Sequence, residues 1–250
     1  MLEGTYDVQA NTLRIFTILT CLRSEWAGNL ILSCGLSDSG ADLALAANIV
    51  GATCLSIDRS TETCRAAMRS GAVDFVVNTV DEALRVLKNE IRKHQPLSVA
   101  LEADSQPAIT ELLDRGVLPQ LYTAFARSPE DPNKAEYIDA ASRFQAQGAS
   151  LVDFNSTLRS LPSAIDSSDV LNSYTAEHAL MLESFSFDSA AALRTFDARV
   201  LDLIPTEDPR HRWATAAARH FHRSRFTKAQ SYTRAIFVTA QEKASLMSNP

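Results

Sequence analysis

No run of about 18 apolar residues occurs in this 250-residue sequence, so nothing in it reads as a membrane-spanning helix. The opening Met-Leu-Glu-Gly-Thr-Tyr lacks the basic-then-apolar order of a secretory signal, and the expectation is a soluble cytoplasmic protein with no membrane partner. Cysteine is scarce: Cys21, Cys34, Cys54 and Cys64 show no CxxC spacing and no accompanying histidine cluster, which argues against a metal site. They read as buried, reduced thiols, even though Cys34 and Cys54 fall on neighbouring predicted strands. The five histidines lack ligand spacing too. His220 and His222 would stand about 200° apart on a helix and could not share one ion. Basic residues are in deficit, 24 Lys and Arg against 30 Asp and Glu for a net charge of −6, which disfavours nucleic-acid binding through the whole surface. Internal repeats and low-complexity tracts are absent.

What the chain does have is hydrophobic content, 46% of residues, in an alternating order of short apolar runs and amphipathic stretches. A leading helix over residues 6–23 precedes strands predicted near 30–32, 52–57, 74–77, 97–101 and 120–123. Helices fall between them at 39–50, from Ser60 to a cap at Gly71, 80–94, and 107–115. This rhythm predicts an α/β fold: a doubly wound, Rossmann-like parallel sheet of five or six strands with helices on both faces. A polar double-proline loop at 127–133, a helix at 134–147 and a last strand at 151–154 follow. Residues 156–169 read as a connecting loop, and helical patterns near 170–184, 188–204, 208–222 and 228–247 complete the chain. The expected division is a Rossmann-like domain over 1–155 and a helical extension over 156–250, packed on it or on a second subunit.

Residues 29–58 have the order of a dinucleotide-binding unit: strand, glycine turn, helix, and a second strand ending in a carboxylate. Gly35 and Gly40 would let backbone N–H groups approach a pyrophosphate at the helix start, and Asp58 would accept from a ribose hydroxyl. The turn Gly35-Leu36-Ser37-Asp38-Ser39-Gly40 lacks the usual third glycine and holds an acid where phosphate would sit. Other roles are open: Asp58 as a helix cap, and Asp38 with Ser39 as the cap of the first helix of the unit, the reading favoured for that pair. Glu102 and Asp104 follow the fourth strand, at the edge where open α/β sheets bind ligands, and read as solvated loop acids rather than a catalytic pair.

Scattered pieces in one order give the chain a likeness. Gly4-Thr5-Tyr6, Trp26-Ala27-Gly28-Asn29-Leu30, Cys34-Gly35-Leu36, the stretch Arg65-Ala66-Ala67-Met68-Arg69-Ser70-Gly71-Ala72-Val73-Asp74, and Arg115-Gly116-Val117-Leu118-Pro119 together resemble the NAD-binding Rossmann-like domain of urocanase over roughly residues 3–125. The resemblance implies NAD, or another nucleotide, as ligand, with Gly35, Leu36, Ser37, Ser39, Gly40, Asp58 and Thr123 as the positions that would touch it. Departures accompany it. The family's turn is longer and richer in glycine, and its Asp-Gln-Thr-Ser type segment after the fifth strand is replaced here by Thr123-Ala124-Phe125-Ala126-Arg127-Ser128. In urocanase a larger core around this domain supplies the substrate pocket and general acid, and this sequence, beginning almost at Gly4, offers no match to it. The expectation is therefore a stand-alone urocanase-like module without urocanate hydratase activity and with no catalytic residues. The alternative is a structural or interaction module with a vestigial pocket, whose tail makes a homo-oligomer.

That tail is basic: residues 209–241 contain Arg210, Arg212, Arg219, Arg223, Arg225, Lys228 and Arg234 and no acid. Arg212, Arg219 and Arg223 share a helical face, and the favoured reading docks this stripe on the acidic body or on a second subunit rather than on RNA. Trp213, Phe221, Phe226, Tyr232 and Phe237 are the expected packing surface of the tail.

Overall fold

The computed structural model describes residues 7–128, 130–221 and 232–248. A seven-stranded sheet forms its centre: β1 Leu30–Cys34, β2 Thr53–Asp58, β3 Phe75–Val77, β4 Leu97–Glu102, β5 Leu121–Ala124, β6 Ser150–Asp153 and β7 Ile165–Asp166. The order is β3-β4-β2-β1-β5-β6-β7 and every pairing is parallel. β1 and β2 are buried along their whole length, as central parallel strands covered on both faces must be. The doubly wound α/β fold expected from the sequence is present, with one strand more than five or six. The extra strand, β7, is a two-residue pairing beside β6 within the expected loop.

Two helical layers cover the sheet. α1 Val8–Leu22, α2 Ser39–Val50 and α3 Thr61–Ser70 contribute to one hydrophobic cluster, while α4 Val80–Lys93, α5 Ser105–Asp114 and α6 Lys134–Ala146 contribute to the other. The division follows from handedness: connections running outward through β1, β2 and β3 put their helices on one face, and those running back through β4, β5 and β6 use the opposite face. The chain runs outward from β1 to β3 and then returns past β1 to β5, so β1 and β5 stand side by side with their following helices on opposite faces.

Beyond β7 come α7 Ser167–Glu177, β8 Met181–Phe187, α8 Ala190–Leu203, α9 Pro209–His220, β9 Tyr232–Val238 and α10 Ala240–Met247. Among the described residues four helices stand there as expected, but two stretches read as helix are strands. Residues 181–187 and 232–238 pair antiparallel from Met181 opposite Val238 to Phe187 opposite Tyr232. Ala179, at φ 50, ends the helical course before β8, and β9 is rich in aromatic and β-branched residues that suit a pleated surface. Trp213 is fully buried, its ring 5.6 Å from Phe16 and 5.8 Å from Phe221, and Phe237 is buried with it. Tyr232 is exposed, and Phe226 lies outside the described residues.

Two of the basic residues of this region, Arg210 and Arg234, turn inward, while Arg212 and Arg219 are exposed. Arg234 forms a bidentate, buried pair with Asp197 at 2.7 and 2.8 Å, and Arg210 joins Asp208 and Glu242 at 2.7 and 2.8 Å. Arg212 lies against Gly51 at the C-terminal end of α2, where the helix dipole favours a cation. Arg219 is on α9, whereas His222, Arg223, Arg225 and Lys228 lie outside the described residues. Cys34, Cys54 and Cys64 are buried free thiols; Cys21, expected buried, is exposed. Cys34 and Cys54 face opposite sides of the sheet, one in each hydrophobic cluster. No described helix is long and apolar enough to cross a membrane, and the described residues contain no group of three or more metal-ligating side chains.

Candidate functional site

The glycine turn joins β1 to α2 at the sheet's carboxyl edge. Gly35 takes φ +88, and a Cβ there would stand 2.5 Å from the Phe125 carbonyl oxygen. A Cβ on Gly40 would overlap the Gly35 carbonyl oxygen itself. Both positions therefore require glycine for close backbone packing, whether or not a ligand is present. Phe125 closes this side: its amide donates to Cys34 at 2.7 Å and its ring lies 6.2 Å from that of Phe154.

Several amides of the turn are spent internally. Gly35 donates to Ile57 at 2.8 Å, Leu36 to the Asp58 carboxylate at 2.9 Å, and Gly40 to Ser37 at 2.9 Å. Asp38 occupies the N-cap position of α2 at φ 39, but its side chain makes no capping bond. The expectation that Asp38 and Ser39 cap the helix is corrected: the left-handed backbone at Asp38 prevents the extended N-cap conformation from which a carboxylate reaches the first-turn amides.

Asp58 ends β2 and is buried. Besides Leu36, it accepts the Ser60 N–H at 2.8 Å, so it is not the cap of α3; Ser60 is, accepting from Thr63 at 3.2 Å. The Arg127 guanidinium completes the arrangement at 3.2 Å from Asp58, reaching across the end of β1 from the segment after β5. Its side chain remains 53% exposed, enough to present N–H donors outward while holding Asp58. The sequence placed Arg127 in a loop without assigning it a role. The available signal was its position just past a strand's carboxyl end.

Two hollows flank this ridge. One, of about 360 Å³, is lined by the ends of β2, β4 and β5 and the starts of α5 and α6, including Asp58, Arg59, Asp104, Ser105, Arg127 and Tyr137. The other, of about 410 Å³, lies between α2 and α3 and includes Leu36, Ser37, Asp38 and Thr63. Arg127 stands between them, its Nη2 also 3.5 Å from the Thr63 hydroxyl. Around the first hollow, α5 begins at Asp104 and α6 at Asn133, again without side-chain capping bonds. Burial works against ionisation of Asp131, but the N–H groups of Arg127 and Asn133 outweigh it and hold the carboxyl below the usual range. Burial pushes the Tyr137 phenol up to about 12.

Of the residues singled out in the sequence, Gly35, Leu36, Ser37, Ser39, Gly40 and Asp58 are gathered at this edge. Thr123 is different. It is fully buried within β5, opposite Ser33, and its hydroxyl has no partner. Ser33 bonds instead to Ser56 at 2.9 Å, so the three side chains form a row on the α2 face of the sheet. Glu102 accepts from the Thr61 hydroxyl, an interaction internal to the β2 and β4 ends.

A parallel sheet wound on both faces and a glycine turn leading into a helix at its centre agree with the family whose model matches here, described as the urocanase Rossmann-like domain. That match covers residues 1–152, more than half of the chain, and the protein belongs to the urocanase family.

Proposed function

We propose that this chain is a nucleotide-binding module of the urocanase family without urocanate hydratase activity, taking NAD or another nucleotide at the carboxyl edge of its sheet. The observation that supports it is the start of α2: a twelve-residue helix whose first turn has no side-chain cap, beside the half-exposed guanidinium of Arg127. Uncapped first-turn amides and a bidentate cation are the donors a phosphate takes. The hollow's carboxylates, Asp104 and Glu136 among them, suit the hydroxyls and exocyclic amine of a nucleoside rather than a second phosphate. Hydration of a conjugated acid is served best by a proton donor whose pKa lies near neutrality, and burial pushes the Tyr137 phenol up to about 12, well away from it.

Thermal unfolding in the presence of NAD, NADH and adenosine monophosphate separates the outcomes. The reading expects at least one of them to raise the melting temperature saturably, with no loss of urocanate absorbance on incubation. No shift with any of them discards the ligand; appreciable turnover discards the inactivity. A second reading, a structural module with a vestigial pocket, is favoured by the amides of Leu36 and Gly40 being bonded inside the turn. It expects no shift with any nucleotide.

A further inference from the structure

The two edges of the β8–β9 pair are treated differently. On the outer edge of β9, side chains replace a neighbouring strand: Gln9 accepts the Ala235 N–H at 2.5 Å and donates to the Thr233 carbonyl at 3.4 Å. Trp213 Nε1 donates to the Ala235 carbonyl at 2.8 Å, and Arg210 to that of Phe237 at 3.2 Å. These bonds also fix which way the main chain points. In an antiparallel pair, a residue whose N–H and C=O point away from its partner strand stands opposite one that does the same. Thr233, Ala235 and Phe237 stand opposite Ser186, Ser184 and Leu182. The N–H and C=O groups of Leu182, Ser184 and Ser186 therefore point outward from β8, and no described residue bonds to them. Ser184 and Ser186 are exposed.

This open edge is seven residues long, with no proline and no basic side chain, the features that discourage strand addition. Its one charge, Glu183, is bonded to Lys243 at 2.7 Å. We infer that β8 pairs antiparallel with β8 of a second copy of this chain, about a two-fold axis at Ser184, giving a four-stranded sheet in the order β9-β8-β8-β9. The register is self-complementary. Ser184 meets Ser184 and Leu182 meets Ser186, so all three outward-pointing residues of each copy fall at hydrogen-bonded positions. Glu183 faces Phe185 and Met181 faces Phe187, so no like charges stand opposite each other. The exposed Met181, 45% accessible, gains an aromatic neighbour in place of water. The inference is independent of any nucleotide.

Sedimentation velocity of the full chain tests it, with Ser184→Pro and Ser184→Lys beside the unsubstituted protein. Proline at 184 removes a donor that the β8–β9 pair does not use, and lysine sets two cations against each other across the axis. The expected result is twice the mass of one chain for the unsubstituted protein, and a single-chain mass for both variants with circular dichroism unchanged. Should Ser184→Pro unfold, Ser184→Lys alone decides. Amide exchange at Leu182, Ser184 and Ser186 should slow as concentration rises. A single-chain mass for the unsubstituted protein at every concentration overturns the inference, as does a dimer that both variants retain.

Discussion

Each of α7, α8, α9 and α10 begins with a capped first turn: Asp166 accepts from Ser168, Ser189 from Ala192, Asp208 from Arg210 and Thr239 from Glu242. At the sheet's carboxyl edge, α3 and α4 are capped by Ser60 and Thr79, but α2, α5 and α6 begin at Asp38, Asp104 and Asn133 with no side-chain capping bond. Composition does not explain the contrast, since Asp and Asn are good capping residues. All three border the two hollows beside Arg127, as does the start of α3, which Ser60 caps. The C-terminal region caps each of its described helices with a side chain, whereas the family-matched region leaves three of its helices without one.

The largest expected effect breaks the self-sufficient region. Asp197→Ala strands the buried guanidinium of Arg234, whose Nη1 already has no partner, and should cost about 4 kcal/mol in urea unfolding. A value under about 1 kcal/mol would mean the pair behaves as a surface contact.

Next comes the Arg210 cluster. Burial opposes ionisation of Asp208 and Glu242, yet bonds from Arg210 hold both carboxyls below their ordinary range. A depressed carboxyl contributes stability above its unfolded pKa and loses it as pH falls through the folded one. Arg210→Met should therefore cost about 2 kcal/mol near neutrality, and the difference from the unsubstituted protein should shrink on acidification below about pH 4. A pH-independent difference would contradict the charge pairing.

The smallest effects sharpen the comparison itself. Ser189→Ala and Thr239→Ala should each cost about 1 kcal/mol. Asp38→Asn, which has no capping bond to lose and tolerates the positive φ at this position, should change stability by less than about 0.5 kcal/mol. Equal costs at all three positions would erase the distinction between the two regions.

Much of the sheet was legible because its signals are local. The apolar run of β1, the Ser60 cap and Gly71 at the end of α3 lie within a few residues of the features they determine. β8 and β9 were not legible in the same way. Their pairing joins segments more than 40 residues apart with α8 and α9 between them, and their apolar residues sit inside longer stretches with helical spacing. The site divides likewise. Gly35, Gly40 and Asp58 are placed by one strand-turn-helix unit, but what Asp58 does depends on Arg127, 69 residues further on. Nor does sequence spacing reveal that Thr123 is sealed within the sheet, or that Asp38 adopts a backbone that turns its carboxylate from capping.

The central claim, that the edge beside α2 and Arg127 seats a nucleotide, is tested most directly by calorimetric titration of the unsubstituted protein and Arg127→Ala with NAD and adenosine monophosphate. The account predicts saturable one-site binding of at least one of them, weakened at least about tenfold in the variant, which loses a charge-assisted phosphate contact. No heat of binding with either ligand and no competing shift in thermal stability, or equal affinity in the variant, would contradict it.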